Sequence, residues 1–238
     1  SIRNALTLVG AETVIARDPS GLVDIDAIVV PGVGANGPAM ERLKRRGLVE
    51  PIWASVAAGT WYVGICLGMQ LLFERSDEDG ARMLGLLRGR VSRLVDAPRL
   101  PHIGWNQLDI ERRHPVVAGI RTGAPAYFVH SYAPVPEDPE IVVTTTEHGG
   151  RFTSTIAHER MIGFQFHPER SGTDGLQLLR DTVGLIAADT AARPALALRR
   201  PTDPRCCVRS RQRVRSRACM GTLGGHRAGA ARRRASRG

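Results

Sequence analysis

The chain has 238 residues, 42% of them hydrophobic, enough for one large domain or two small ones, and no run of 18 or more apolar residues that would make an ordinary transmembrane helix. Its formal charge of +10 is concentrated at one end: residues 199–238 hold 13 Arg, no Lys and one acid, Asp203, leaving 20 basic and 22 acidic residues in 1–198. A near-neutral body of this kind lacks the electrostatic footprint of a nucleic-acid-binding domain.

In chain order, "SIRNALTLVGAE" (1–12) starts directly in a helical pattern, without the strand that a βα unit needs before its first helix. A first strand is therefore expected to be missing from the domain. The short apolar runs "TVIA" (13–16), "AIVV" (27–30) and "WYVG" (61–64) read as buried parallel strands, being continuous rather than alternating. Between them "PAMERLKRRG" opens with Pro38 and stops at Gly47, and "LVEPIWASVAAG" ends at Gly59, both in helical phase. That rhythm predicts a doubly wound, flavodoxin-like α/β sheet.

After residue 88 the texture changes. "GRVSRLV", "GWNQLDI", "AYFVHSY", "IVVTTTEH", "TSTIAHE" and "MIGFQFH" are strand-like with few helices between, so the sheet should be mixed, and a last helix is expected over 173–191. One domain over 1–192 follows. From Arg193 hydrophobic periodicity gives way to Arg, Ala, Ser and Gly, a composition that predicts disorder. An interaction tail, a plain extension and a sequence foreign to the fold all fit, since Arg-rich, Lys-free tracts also arise when GC-rich DNA is read out of frame. No leader pattern opens the chain, and the cysteines at 66, 206, 207 and 219 do not space like a disulfide framework, so a reducing cytoplasm is the default. Cys206, Cys207, Cys219 and His226 are not spaced or framed as a zinc site, and no metal or cofactor is expected.

One constellation carries chemistry. Gly64-Ile65-Cys66-Leu67-Gly68, between a strand and a helix, has the form of a nucleophile elbow with a thiol in place of a hydroxyl. The glycines would let the strand turn sharply and a substrate approach the sulfur. The helix "LGMQLLFE" would aim its first amides at the thiol, and the Leu67 N–H would serve an oxyanion. A buried turn cysteine is the alternative. "VVPGVGANG" (29–37) ends a strand in a Gly-rich loop whose amides, Gly32 to Gly34, could complete the oxyanion hole; it lacks the Gly-Lys-Ser/Thr of a phosphate loop. "GFQFHPERSG" (163–172) supplies the missing parts: His167 as base at a strand end, and Glu169 two residues on as the group that orients it. Asp77, Glu78 and Asp79 read as a solvated charge run, and His102, His114, His130, His148 and His158 have no assigned role.

Together "PGVGANGPAMERL", "GICLGMQLLFE", "PHIGWNQL", "YFVHSY" and "GFQFHPERSG" resemble the class I (triad) glutamine amidotransferases. Among these the chain looks most like the glutaminase subunits of imidazole glycerol phosphate synthases, over residues 1–190. The resemblance implies that Cys66 attacks the glutamine side-chain amide, with His167 moving protons and Glu169 orienting it. Gly32, Val33, Gly34 and Leu67 would form the oxyanion hole, and Gln70, Ser131 and Tyr132 would bind glutamine. It further implies a separate (βα)8-barrel cyclase that receives the ammonia, with Trp105, Asn106, Tyr127 and Arg170 at or near that interface. Two alternatives stay open: a subunit of another synthase, and a catalytically impaired interaction subunit.

Overall fold

The computed structural model describes residues 2–192; the expectations for Arg193 onward, including disorder and the Cys206–His226 group, lie outside the described residues. Continuous apolar runs build a parallel half-sheet from β1 (Ala27–Gly32), β2 (Trp61–Cys66) and β10 (Met161–Phe164), with Gly64 of β2 opposite Val30 on one side and Gly163 on the other. All six residues of β2 are buried, as expected of a strand with neighbours on both edges and packing on both faces. Alternation then sends Val63 and Ile65 into one core with Phe164 and Leu178, and Tyr62 into the other with Met69, Leu72 and Phe73. The α1 (Ile2–Leu8), α2 (Asn36–Arg45) and α3 (Val49–Ala57) helices belong to this half, and the predicted stops at Gly47 and Gly59 have φ of 62° and 91°, the left-handed conformation that ends helices.

Beyond residue 88 the sheet becomes antiparallel, as its alternating segments predict. The strands β5 (His102–Ile110), β6 (Ala124–His130), β8 (Val142–His148) and β9 (Gly150–His158) extend it to seven in the order β1-β2-β10-β9-β8-β5-β6. A small second sheet joins β3 (Arg75–Ser76), β4 (Gly89–Arg93) and β7 (Tyr132–Pro136). The last helix, α5 (Gly172–Ala192), buries Leu178 and Leu179 and receives Ala5 and Leu6 of α1. Its far end is clasped to the sheet by Asp189, which accepts from Trp61 Nε1 at 3.0 Å and from both arms of Arg160 at 2.9 and 3.0 Å.

One predicted strand does not form. Residues 13–16 have no strand partner, and Val14 and Ile15 are 76% and 64% exposed. A strand is stable only when its backbone is paired; among the described residues β1 pairs with β2 alone, and no strand lies between β1 and this run. An apolar sequence without a ladder to join stays outside the sheet, with Val14 and Ile15 at the surface.

Candidate active site

The elbow forms where β2 runs into α4 (Leu67–Gln70). Cys66 sits at φ 52° and ψ −108°, a conformation that a side-chain-bearing residue adopts only when its surroundings impose it. The surroundings are backbone. A Cβ on Gly68 would lie 1.7 Å from the Val30 carbonyl oxygen, and one on Gly64 would lie 2.5 Å from the backbone carbonyl of Gly68. The glycines thus clear space for three main chains packed together, and not, as the motif suggested, for a ligand. The following helix is also shorter than its apolar pattern implied, one turn instead of two, so its dipole acts weakly on the sulfur.

The Cys66 sulfur is nearly buried and loosely held, 3.7 Å from Gln165 Nε2 and 3.8 Å from the Val129 carbonyl oxygen. It opens onto a cavity of about 220 Å³ walled by Gly34, Leu67, Gln70, Glu78, Ser131 and Tyr132, among others. β10 lies directly beside β2, with Phe164 level with Ile65, and the chain leaving β10 brings His167 to the Cys66 side of the sheet, its Nε2 buried and without a hydrogen-bond partner among the described residues. There Pro168–Arg170 forms a single 3₁₀ turn that folds Glu169 back onto the ring: Oε1 lies 3.0 Å from His167 Nδ1, with both side chains about nine-tenths buried. Ser171 Oγ donates to the His167 carbonyl oxygen at 2.7 Å and accepts from Tyr127 N–H at 2.9 Å, which fixes the turn to β6.

Burial opposes a charge on His167, but the Cys66 sulfur and the Glu169 carboxylate outweigh it and lift the imidazole to about 9. Burial likewise pushes Glu169 up, and the bond to His167 more than reverses this, holding its carboxyl below the usual range. His130 and His102 move the other way, to about 3 and about 4, chiefly through burial. A raised histidine contributes stability below its unfolded pKa near 6.5 that is lost as pH climbs toward 9. The lowered histidines contribute stability that is lost as pH falls from about 6.5 toward 3 and 4. Thermal melts between pH 4 and 9.5 should therefore peak near pH 6.5, and His167→Gln should flatten the alkaline side.

Of the residues expected around the nucleophile, Gly34 (φ 104°) and Leu67 line the cavity. Gly32 ends β1 opposite Cys66 without lining it, and Val33 is 69% exposed. Gln70, Ser131 and Tyr132 are cavity residues. The Gln70 amide, however, is occupied by the protein: Nε2 donates to the Tyr132 carbonyl at 2.9 Å and to Gln165 Oε1 at 3.1 Å, and Oε1 accepts from Asn36 Nδ2 at 3.1 Å. Asn36 and Gln165 escaped the sequence reading although each carries a legible signal. Asn36 is the polar residue that ends the Gly-rich loop, and Gln165 interrupts two buried phenylalanines; both are 0% exposed.

The 77–79 run is exposed, as expected of a solvated loop, and is also bonded to its neighbours. Asp79 accepts from the Gly37 amide at 2.7 Å, Asp77 accepts from Ser92 Oγ at 2.6 Å, and Glu78 faces the cavity, its carboxyl raised mainly by burial. Trp105, Tyr127 and Arg170 gather on one surface: the two rings are 6.0 Å apart edge to face, and the Arg170 guanidinium lies 4.4 Å over Tyr127. Asn106 points to the other face of β5, donating to the Glu147 carbonyl at 2.8 Å. Among the described residues no group of His, Cys, Asp and Glu is arranged to hold a metal ion, and no helix is long and apolar enough to cross a membrane.

The family described as class-I glutamine amidotransferase matches residues 2–184, and the chain belongs to it; it is therefore an amidotransferase-family enzyme. Within that family its relatives have a narrower description. The chain is 43% identical over 196 residues to the imidazole glycerol phosphate synthase subunit HisH of Symbiobacterium thermophilum, covering 82% of this chain and 92% of the relative. It is 44% identical over 183 residues to the same subunit of Aquifex aeolicus, covering 76% and 88%. Among solved structures it is similar to a glutamine amidotransferase (TM-score 0.62, 22% identity, 78% and 92% covered). It is also similar to the structure of PurLQS from Thermotoga maritima (TM-score 0.63, 20% identity, 78% and 91% covered). The class I fold is thus shared across sequences that have largely diverged.

Proposed function

We propose that the chain is the cytoplasmic glutaminase subunit of an imidazole glycerol phosphate synthase, hydrolysing glutamine through a cysteine thioester and passing ammonia to a cyclase subunit. The observation that carries this reading is the return of the His167–Glu169 pair, from the strand beside β2, to a strained cysteine facing an open cavity. With His167 protonated, Cys66 attacks as thiolate on the δ-carbonyl carbon of glutamine, and the charge that develops on oxygen falls to the Leu67 amide and the Gly34 loop. His167 gives its proton to the amide nitrogen, the C–N bond breaks, and ammonia leaves a γ-glutamyl thioester. Neutral His167 then takes a proton from water, whose oxygen attacks the thioester; glutamate departs and the sulfur is restored. Throughout, Glu169 holds the imidazole by its Nδ1–H. The Glu78 carboxylate supplies a counter-charge for the substrate ammonium, and Ser131 and Tyr132 form the wall beside it.

The cyclase, a (βα)8 barrel, docks on the Trp105–Tyr127–Arg170 surface, where a cation-capped aromatic pair offers a rigid anchor. Asn106 contributes from beneath rather than by contact. The decisive experiment measures glutamate release with and without the cyclase, together with intact-mass detection of a glutamyl adduct on Cys66. Turnover that rises with the partner and an adduct lost in Cys66→Ala are expected; robust turnover by Cys66→Ala would overturn the reading. Glu169→Gln should lower kcat roughly 10²–10⁴-fold with little change in KM, since it leaves the nucleophile and cavity intact and releases the base.

A further inference from the structure

Three imidazoles outside the Cys66–His167–Glu169 group lie together between β5, β6 and β8. His102 opens β5 and His130 closes β6, directly opposite each other in the ladder, and they are 4% and 6% exposed. His102 is sandwiched, with Phe128 stacked at 4.9 Å on one side and His148 at 3.9 Å on the other. His148 has its own tether, donating from Nε2 to the Arg99 carbonyl at 2.9 Å.

The hydrogen-bond directions in this group can be read from one fixed end. His130 Nδ1 lies 2.9 Å from the Tyr132 carbonyl oxygen, which can only accept, so Nδ1 carries the proton. In the neutral ring Nε2 is then an acceptor, and it faces His102 Nδ1 at 3.4 Å as donor. That leaves His102 Nε2 to accept from Asn106 Nδ2 at 3.3 Å. Asn106 is itself oriented, since it also donates to the Glu147 carbonyl and its Oδ1 accepts from the Gln107 amide at 2.8 Å. Every link points the same way while both rings are neutral, and burial keeps them so at neutral pH.

Followed the other way, the Tyr132 carbonyl is shared: it also accepts from Gln70 Nε2. Gln70 donates to Gln165, and Gln165 Nε2 is the group 3.7 Å from the Cys66 sulfur. A continuous polar thread therefore runs Asn106, His102, His130, Tyr132 carbonyl, Gln70, Gln165, Cys66. Its outer end lies one residue from Trp105, and its inner end touches the nucleophile. Two apolar side chains would fill the His102–His130 space equally well, so a buried, directional pair is a cost that packing alone does not explain.

We propose that His102 and His130 are positioning residues that couple the Trp105 face of β5 to the Gln70 wall of the cavity, so that a partner docked on that face sets the geometry around Cys66. The inference rests on the partner-dependent glutaminase reading above. β5 carries both Trp105 and Asn106; a partner that shifts or stiffens this strand moves the Asn106 end of the thread, and the carbonyl of Tyr132 is where that movement reaches Gln70.

The test compares His102→Phe with His102→Asn, each assayed for glutamate release alone and in complex with the cyclase. Phe keeps a ring between Phe128 and His148 but has no donor for His130. Asn gives up the ring but places an amide N–H where Nδ1 stood. Without the partner all three proteins should agree within about twofold. With it, His102→Phe should lose about tenfold of the stimulation, in kcat, while His102→Asn stays within about threefold of the parent. Undiminished stimulation of His102→Phe overturns the coupling, as does the reverse ranking, which would mark the pair as a packing device. Equal loss in the free and complexed His102→Phe also overturns it. If the parent protein is not stimulated at all, the partner reading itself fails and the coupling falls with it; a stimulated parent beside a stimulated His102→Phe removes the coupling alone.

Discussion

Cys66→Ala is expected to abolish glutamate release, by roughly 10⁴–10⁶-fold, while the protein melts within a few degrees of its parent. The two halves of this expectation rest on different observations. On the proposed reading the sulfur is the attacking group; it lines the cavity, and no other described cysteine exists to replace it. Yet its contacts are weak, at 3.7 and 3.8 Å, and Ala tolerates φ of 52° about as well or as badly as Cys. Removing one sulfur atom at a nearly closed site therefore costs little packing. A coupled glutamate assay and a thermal melt on the same preparation separate the two effects; a collapsed melt would show that the cysteine is there for structure.

Gly68→Ala is expected to do the opposite, destroying the fold before the chemistry can be measured. The added methyl would lie 1.7 Å from the Val30 carbonyl oxygen, a backbone atom inside the β1–β2 pair that cannot rotate away. Relief requires α4 and β1 to separate, which would also displace Leu67 and the Cys66 conformation. A cost above about 3 kcal/mol is anticipated, at the upper end of overpacking effects, seen as loss of soluble protein or a large fall in denaturant midpoint. Gly34→Ala is the informative contrast. Its φ of 104° disfavours a side chain, but nothing lies within 4 Å, so the penalty should be about 1 kcal/mol and felt at the cavity lip rather than in the core.

Much of this was legible before any coordinates. The elbow at Cys66 and the His167–Glu169 turn are legible as corners of the chain, marked by Gly64, Gly68 and Pro168. The mixed sheet was legible because parallel strands are continuously apolar while antiparallel ones alternate. Three features were not. The run at 13–16 has the composition of a strand, and composition cannot report whether a partner is present. Asn36 and Gln165 support the cavity wall only through their bonds to Gln70, 34 and 95 positions away, and Glu78 lines the cavity only because the fold brings its loop there. And the glycines of the elbow were read for what they admit, whereas their neighbours show what they exclude. Sequence shows that a side chain is missing, but not which atom occupies its place.

The side-by-side seating of β2 and β10 has a consequence for assembly in time. Cys66 and His167 are separated by about a hundred residues, and the strands that bring them together are among the earliest and the latest of the sheet. The loop between them must close before either has a function, and that closure is slow to reward the chain. During synthesis Cys66 therefore exists for about a hundred residues of elongation before His167 is made. On the proposed reading, hydrolytic competence arrives in a single late event, when the Met161–Phe164 strand slots in beside its partner. A nascent or truncated chain ending before that strand should hold a nucleophile that consumes no glutamine.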